Sequence, residues 1–167
     1  GSETTATSKT SGTQDTTISN LNKLTTVRLR LVVSNEGGTQ YSYATQQFRL
    51  EYGVLVSTCS AVASWTQVGF GGAVWGMSDS ASLTNADNTT NISAGTGGVS
   101  DTNATFLSSN GGVRDTGSDT GALLVSSDSF VELEYSIRAE STATDEETYC
   151  FRVTNAGSAS LFAYNQY

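Results

Sequence analysis

The residues that could do chemistry in this chain are carboxylates, hydroxyls and two tryptophans, because the sequence contains no histidine. Without imidazole, a serine or cysteine nucleophile lacks its usual base, and most transition-metal sites lose their commonest ligand. Asp115-Thr-Gly117 and Asp119-Thr-Gly121 each spell the tripeptide of aspartic proteases. Those enzymes take two such loops from separate lobes so that two carboxylates share one proton, which copies this close in sequence do not allow. A pair of Asx-type turns explains them better. The same acids are hard oxygen ligands. Asp115 with Asp119, or Asp79 with Asn85 and Asp87, have spacings a calcium loop could use, so Asp79, Asp87, Asp115 and Asp119 are calcium candidates. Neither set completes a loop motif, and no other cofactor is expected. Trp65 and Trp75 are candidate ligand-contact aromatics for a sugar, although a sheet-covering or core role is the stronger reading of Trp65.

Two further possibilities are covalent. Asn88-Thr-Thr90, Asn91-Ile-Ser93 and Asn103-Ala-Thr105 are glycosylation sequons, and their clustering marks exposed loop. Lys23 precedes the first strand and Asn165 lies in the last expected one, with Glu132 or Glu134 as an acid. An isopeptide bond of the kind found in Gram-positive pilus sandwiches could join them, with solvation of Lys23 the simpler alternative.

The elements that must position these groups are strands. Ser and Thr contribute 24 and 25 residues and Gly 17, while charged residues make up only 14% of the chain. Solubility carried by hydroxyls, with free use of β-branched Thr, favours strands and loops over helices. The net charge of −8 argues against nucleic acid, which needs clustered Lys and Arg. Arg28, Arg30, Arg49, Arg138 and Arg152 are scattered and alternate with apolar neighbours, so each is expected to face outward from its strand. No apolar run is long enough to span a membrane, no signal peptide is visible, and Gly1 in place of Met suggests processing.

Residues 1–17 carry almost no apolar side chains and read as a Ser/Thr-rich arm or linker. The rest, 18–167, reads as one domain large enough for a hydrophobic core. Strands are expected over Leu24–Ser34, about Ser42–Tyr52, Val54–Cys59 with Ser64–Gly69, Phe130–Ala139, Thr148–Asn155 and Leu161–Tyr167. Residues 70–121 form a loop-rich insertion too long to stay structureless, and extra short strands are expected within it. Cys59 and Cys150 are an even pair and suggest one disulfide and an oxidising compartment, two free buried thiols being the alternative.

Tyr149-Cys-Phe-Arg-Val-Thr-Asn-Ala-Gly157 resembles the F strand and following turn of a fibronectin type III or related immunoglobulin-like sandwich. Phe48-Arg-Leu-Glu-Tyr-Gly53 and Trp65-Thr-Gln-Val68 similarly resemble its C strand and the Trp-bearing strand beyond. The resemblance implies an immunoglobulin-like or jelly-roll β-sandwich of an extracellular surface protein. A Cys59–Cys150 bridge would then staple the outside of the C–F sheet, unlike the core bridge of antibody domains. The leading expectation is a non-enzymatic structural or adhesive subunit that self-associates, by strand or arm exchange, into a surface filament. A carbohydrate-binding module is the alternative, and a hydrolase with paired carboxylates ranks third.

Overall fold

The computed structural model describes residues 3–37, 46–93, 95–160 and 162–164. Nine strands fall among them: β1 (Val27–Asn35), β2 (Phe48–Val54), β3 (Thr66–Gln67), β4 (Gly69–Phe70), β5 (Trp75–Met77), β6 (Thr105–Phe106), β7 (Val113–Arg114), β8 (Ser129–Ala139) and β9 (Tyr149–Asn155). Only two short 3₁₀ turns, Glu3–Thr5 and Cys59–Ala61, interrupt the all-β character. The strands form two packed sheets, a larger one in the order β1-β8-β5-β4 and a smaller one in the order β3-β2-β9.

Period-two alternation builds the core between the sheets. Val27, Leu29, Leu31 and Val33 of β1 and Val131, Leu133, Tyr135 and Ile137 of β8 face Phe48, Leu50, Tyr52, Phe151 and Val153 of the smaller sheet. β1 and β8 are antiparallel over their whole overlap, with Leu31 opposite Leu133. β2 and β9 pair likewise, with Leu50 opposite Val153. Trp75 closes one end of this core, edge-on to Phe151 at 4.9 Å and to Tyr149 at 5.8 Å between ring centroids. Each fully buried Phe, Leu or Val contributes roughly 1.5–3 kcal/mol, which makes this interface the main source of stability.

The insertion has a defined job. With β1 holding one edge of β8, the short strands β6, β7 and β5 line up in turn along the other edge, at residues 129–130, 134–135 and 137–139 of β8. Loops between them, together with the N-terminal segment, cover the outer face of the larger sheet. β8 is therefore buried on both faces although Glu132, Glu134 and Ser136 occupy the outer one. Each of these is satisfied, Ser136 Oγ by donating to the carbonyl of Ser78 at 2.7 Å.

Several expectations are corrected. Cys59 lies in a 3₁₀ turn, and Val54 ends β2, so no strand spans Val54–Cys59. Ser64–Gly69 is split between sheets: Val68 plunges into the core, its N–H donates to the Leu50 carbonyl at 3.0 Å, and the chain crosses to the larger sheet at Gly69. Residues 162–164 are not a strand; Phe162 packs edge-on against Phe48 and Tyr164 Oη donates to the Val153 carbonyl at 2.6 Å. The other residues of that expected strand except Phe162–Tyr164, and 42–45 of the second, lie outside the described residues.

Candidate functional site

The densest gathering of charge lies where the N-terminal segment, the insertion and the outer face of the larger sheet meet. Arg28 and Arg30 project from β1 beside Glu132 and Glu134 of β8, with Arg30 directly opposite Glu134 in the register. The Arg30 guanidinium donates from Nη1 to Glu132 and from Nη2 to Glu134, and its Nη2 also reaches Glu3 Oε1 at 2.5 Å. Arg28 Nη1 donates to Glu134 Oε1 at 3.3 Å. One loop of the insertion is tied in by its backbone. Thr90 N–H donates to Glu3 Oε1 at 2.7 Å, Ile92 N–H donates to Glu132 Oε1 at 3.2 Å, and Arg30 Nη1 donates to the Thr90 carbonyl at 3.0 Å.

The Arg30 side chain is only 8% exposed and that of Glu132 fully buried. Burial pushes the carboxyl groups of Glu132 and Glu134 above their ordinary value, with Arg30 offsetting only part of that cost. Burial alone would lower the Arg30 pKa, but Glu134, Glu3 and Glu132 outweigh it and hold the guanidinium above its usual value. The arrangement suits a structural clamp between three layers. The expectation that Arg30 faces solvent is thus overturned, because the insertion and the N-terminal segment form an additional layer over it.

The outer face of the smaller sheet is arranged differently. Cys59 and Cys150 form a disulfide with Cα atoms 5.5 Å apart, on the side of β9 opposite the core. Beside it Arg152 donates from Nε and Nη2 to Glu51 Oε2 at 3.0 and 2.8 Å, and its guanidinium lies 4.3 Å above the Trp65 ring. Trp65 Nε1 donates to the Val62 carbonyl at 3.1 Å. Gly53 makes this cover possible, since a Cβ there would run into the Val62 side chain and the Ser64 carbonyl. Trp65 is half-buried and covers the sheet. Trp75 is 5% exposed and lies in the core, so the expected exposure of this second sugar-stacking candidate is overturned.

The calcium candidates are dispersed. Asp79 and Asp87 are exposed. Asp119 accepts from Arg49 Nε at 2.7 Å and from Gln67 Nε2 at 3.3 Å. Asp115 is buried, and its Oδ1 has no hydrogen-bonding partner among the described residues. Asn85 Oδ1 instead accepts from the backbone N–H groups of Asp115 and Thr116, tying the two loops together. No group of three or more His, Cys, Asp and Glu able to hold a metal occurs among the described residues.

The lysine and the acids of the isopeptide candidate have other partners. Lys23 Nζ pairs with Asp145 at 2.8 Å, while Glu132 and Glu134 are committed to Arg30; Asn165 lies outside the described residues. Asn88, Asn91 and Asn103 are all exposed, and Asn88 Oδ1 also accepts from the N–H groups of Asn110 and Gly111.

Glu3 and the burial of Arg30 were missed by sequence reasoning. One signal did exist: Arg-Leu-Arg at 28–30 and Glu-Leu-Glu at 132–134 carry opposite charges on the outer faces of two strongly patterned strands. No family model, curated protein or solved structure matches this chain.

Proposed function

We propose that this chain is a non-enzymatic, extracellular structural or adhesive subunit of immunoglobulin-like type that associates with further copies of itself. The observation that carries the reading is the disposition of β1 and β9. Among the described residues neither pairs with a further strand on its outer side, and both border one groove, lined by Leu31, Val33, Val125, Phe151, Val153 and Phe162. Edge strands beside apolar side chains are the usual template for strand addition from another subunit; on β9 the Val153 carbonyl is already taken by Tyr164 Oη, which leaves β1 as the more open edge. The disulfide agrees with an oxidising compartment, and no helix among the described residues is long and apolar enough to cross a membrane. Negative-stain electron microscopy of the purified full chain at high concentration tests it. Filaments or discrete oligomers are the expected result, and monomers at every concentration would overturn it.

A carbohydrate-binding reading now rests on Trp65 alone, one face of which is already covered by Arg152. Quenching of its fluorescence by one member of a glycan panel would revive that reading.

A further inference from the structure

The N-terminal segment is docked on its own body through discrete polar contacts rather than through an apolar face. Glu3 fills a socket made by Arg30 and the Thr90 N–H. Gly12 (φ +83°) is buried so closely against Gly95 that a Cβ would strike its backbone, and Gln14 Nε2 donates to the Gly98 carbonyl at 3.2 Å. The body resumes at Leu21, which packs against the core. Between them Asp15–Asn20 is a continuous exposed stretch, with left-handed turns at both ends (Asp15 φ 51°, Asn20 φ 57°).

Resting on the self-association proposed above, we infer that this segment is an exchangeable arm, and that residues 3–14 of one copy dock in the Arg30–Thr90 socket of another. Charge complementarity names the occupant: the socket presents a guanidinium and an N–H, and Glu3 of a second copy satisfies both as well as Glu3 of the same chain. Exchange replaces each bond within one chain by the same bond between two copies. The balance is therefore set by the hinge and by concentration, not by the strength of the socket. A hinge that turns back on itself at both ends can open into an extended link spanning up to about 20 Å at ~3.4 Å per residue, long enough to reach a neighbour. Reciprocal exchange closes a dimer, whereas head-to-tail exchange leaves a free arm and a free socket and grows a filament.

The hinge gives the decisive test. Deleting Thr16–Ile18 removes half of the Asp15–Asn20 link, which penalises docking of the arm on its own copy relative to docking on another. Sedimentation velocity should then show at least a tenfold rise in the dimer or polymer fraction over the parent chain. Adding Glu3→Gln to the deletion should return it to monomer. A deletion chain that stays monomeric, or assembles equally well with Glu3→Gln, overturns the inference.

A second measurement covers poor folding of the deletion. Ser8 Cβ lies 3.3 Å from the position a Gly97 Cβ would take, near the separation a disulfide spans; Gly97 has φ +97°, which strains any side chain, so the cross-link is read only on Gly97→Cys chains whose thermal melt matches the parent's. Full-length Ser8→Cys and Gly97→Cys chains, mixed and oxidised, should give a heterodimer joined through those two positions. Closure of the double variant within one chain, with no heterodimer from the mixed single variants, overturns exchange; failure of both overturns the docking itself. Filaments of the parent chain that survive Glu3→Gln would leave the self-association reading standing and remove only the arm from it.

Discussion

The two outer faces of this sandwich start from the same strand-level pattern and end as different objects. On the larger sheet Arg28 and Arg30 stand beside Glu132 and Glu134; on the smaller, Arg49 and Glu51 stand beside Arg152. The first set is sealed beneath the insertion and the N-terminal segment, so its charges must neutralise one another. The second is covered by a disulfide-linked turn, the Trp65 ring and Asp119, and its arginines keep more access to water than Arg30, the Arg49 and Arg152 side chains being 25% and 16% exposed. Charge alternation along a strand therefore says nothing about whether its polar face is surface. The next layer decides that.

Breaking each face should reveal the difference. The largest effect is expected from the smaller sheet's covalent staple. Replacing Cys59 and Cys150 together by Ser releases a bridge between residues 91 apart, which the chain-entropy view values at about 4–5 kcal/mol, measurable by urea denaturation. Arg30→Ala should cost about 3–5 kcal/mol, because it strands the buried Glu132 without its cation and leaves Glu134 with Arg28 alone. Arg152→Ala, at the matching pair on the smaller sheet, should cost less, about 1.5–3 kcal/mol, since it removes the charged hydrogen bonds of a single carboxylate, Glu51, rather than disturbing two. Equal losses for the two arginine variants would dissolve the distinction between the faces.

The gentlest probe is pH. The folded carboxyl groups of Glu132 and Glu134 sit above their ordinary value of 4.5, so in the window between the two values the native state binds more protons than the unfolded chain. Their contribution should therefore become more favourable as pH falls from neutral toward about 4.5, opposite to that of an exposed, salt-bridged acid. Thermal melts between pH 7 and pH 5 should show this, and Glu132→Gln with Glu134→Gln should flatten the dependence. An unchanged profile in that double variant would mean that Arg30 stabilises the ionised acids fully.

Much of this architecture was legible in the sequence. Long alternating runs such as Val27–Val33 and Val131–Ile137 specify their strands locally, because an apolar face on one side of a pleated ribbon has to be buried. The even cysteine pair and the outward position of Cys150 followed from the same parity. Short strands were not legible: β4, β6 and β7 have two residues each, too few for any period to show; β6 and β7 exist because β8 offers them an edge, and β4 because β5 does. Val54–Cys59 reads as apolar alternation, yet Val54 and Val56 are exposed and the run leaves the sheet.

What the sequence by itself determined is the class, the long strands and their inward residues, all of which depend on neighbours two positions away. What only the tertiary structure decided is which polar residues are interior. Glu3, Arg30, Glu132 and Glu134 lie far apart in the chain, and their meeting depends on the insertion folding back over β8. The burial of Trp75 was settled the same way, by Tyr149 and Phe151 arriving from the opposite sheet. The physical reason is common to both cases: parity assigns a side chain to a face, while solvation of that face depends on segments distant in sequence.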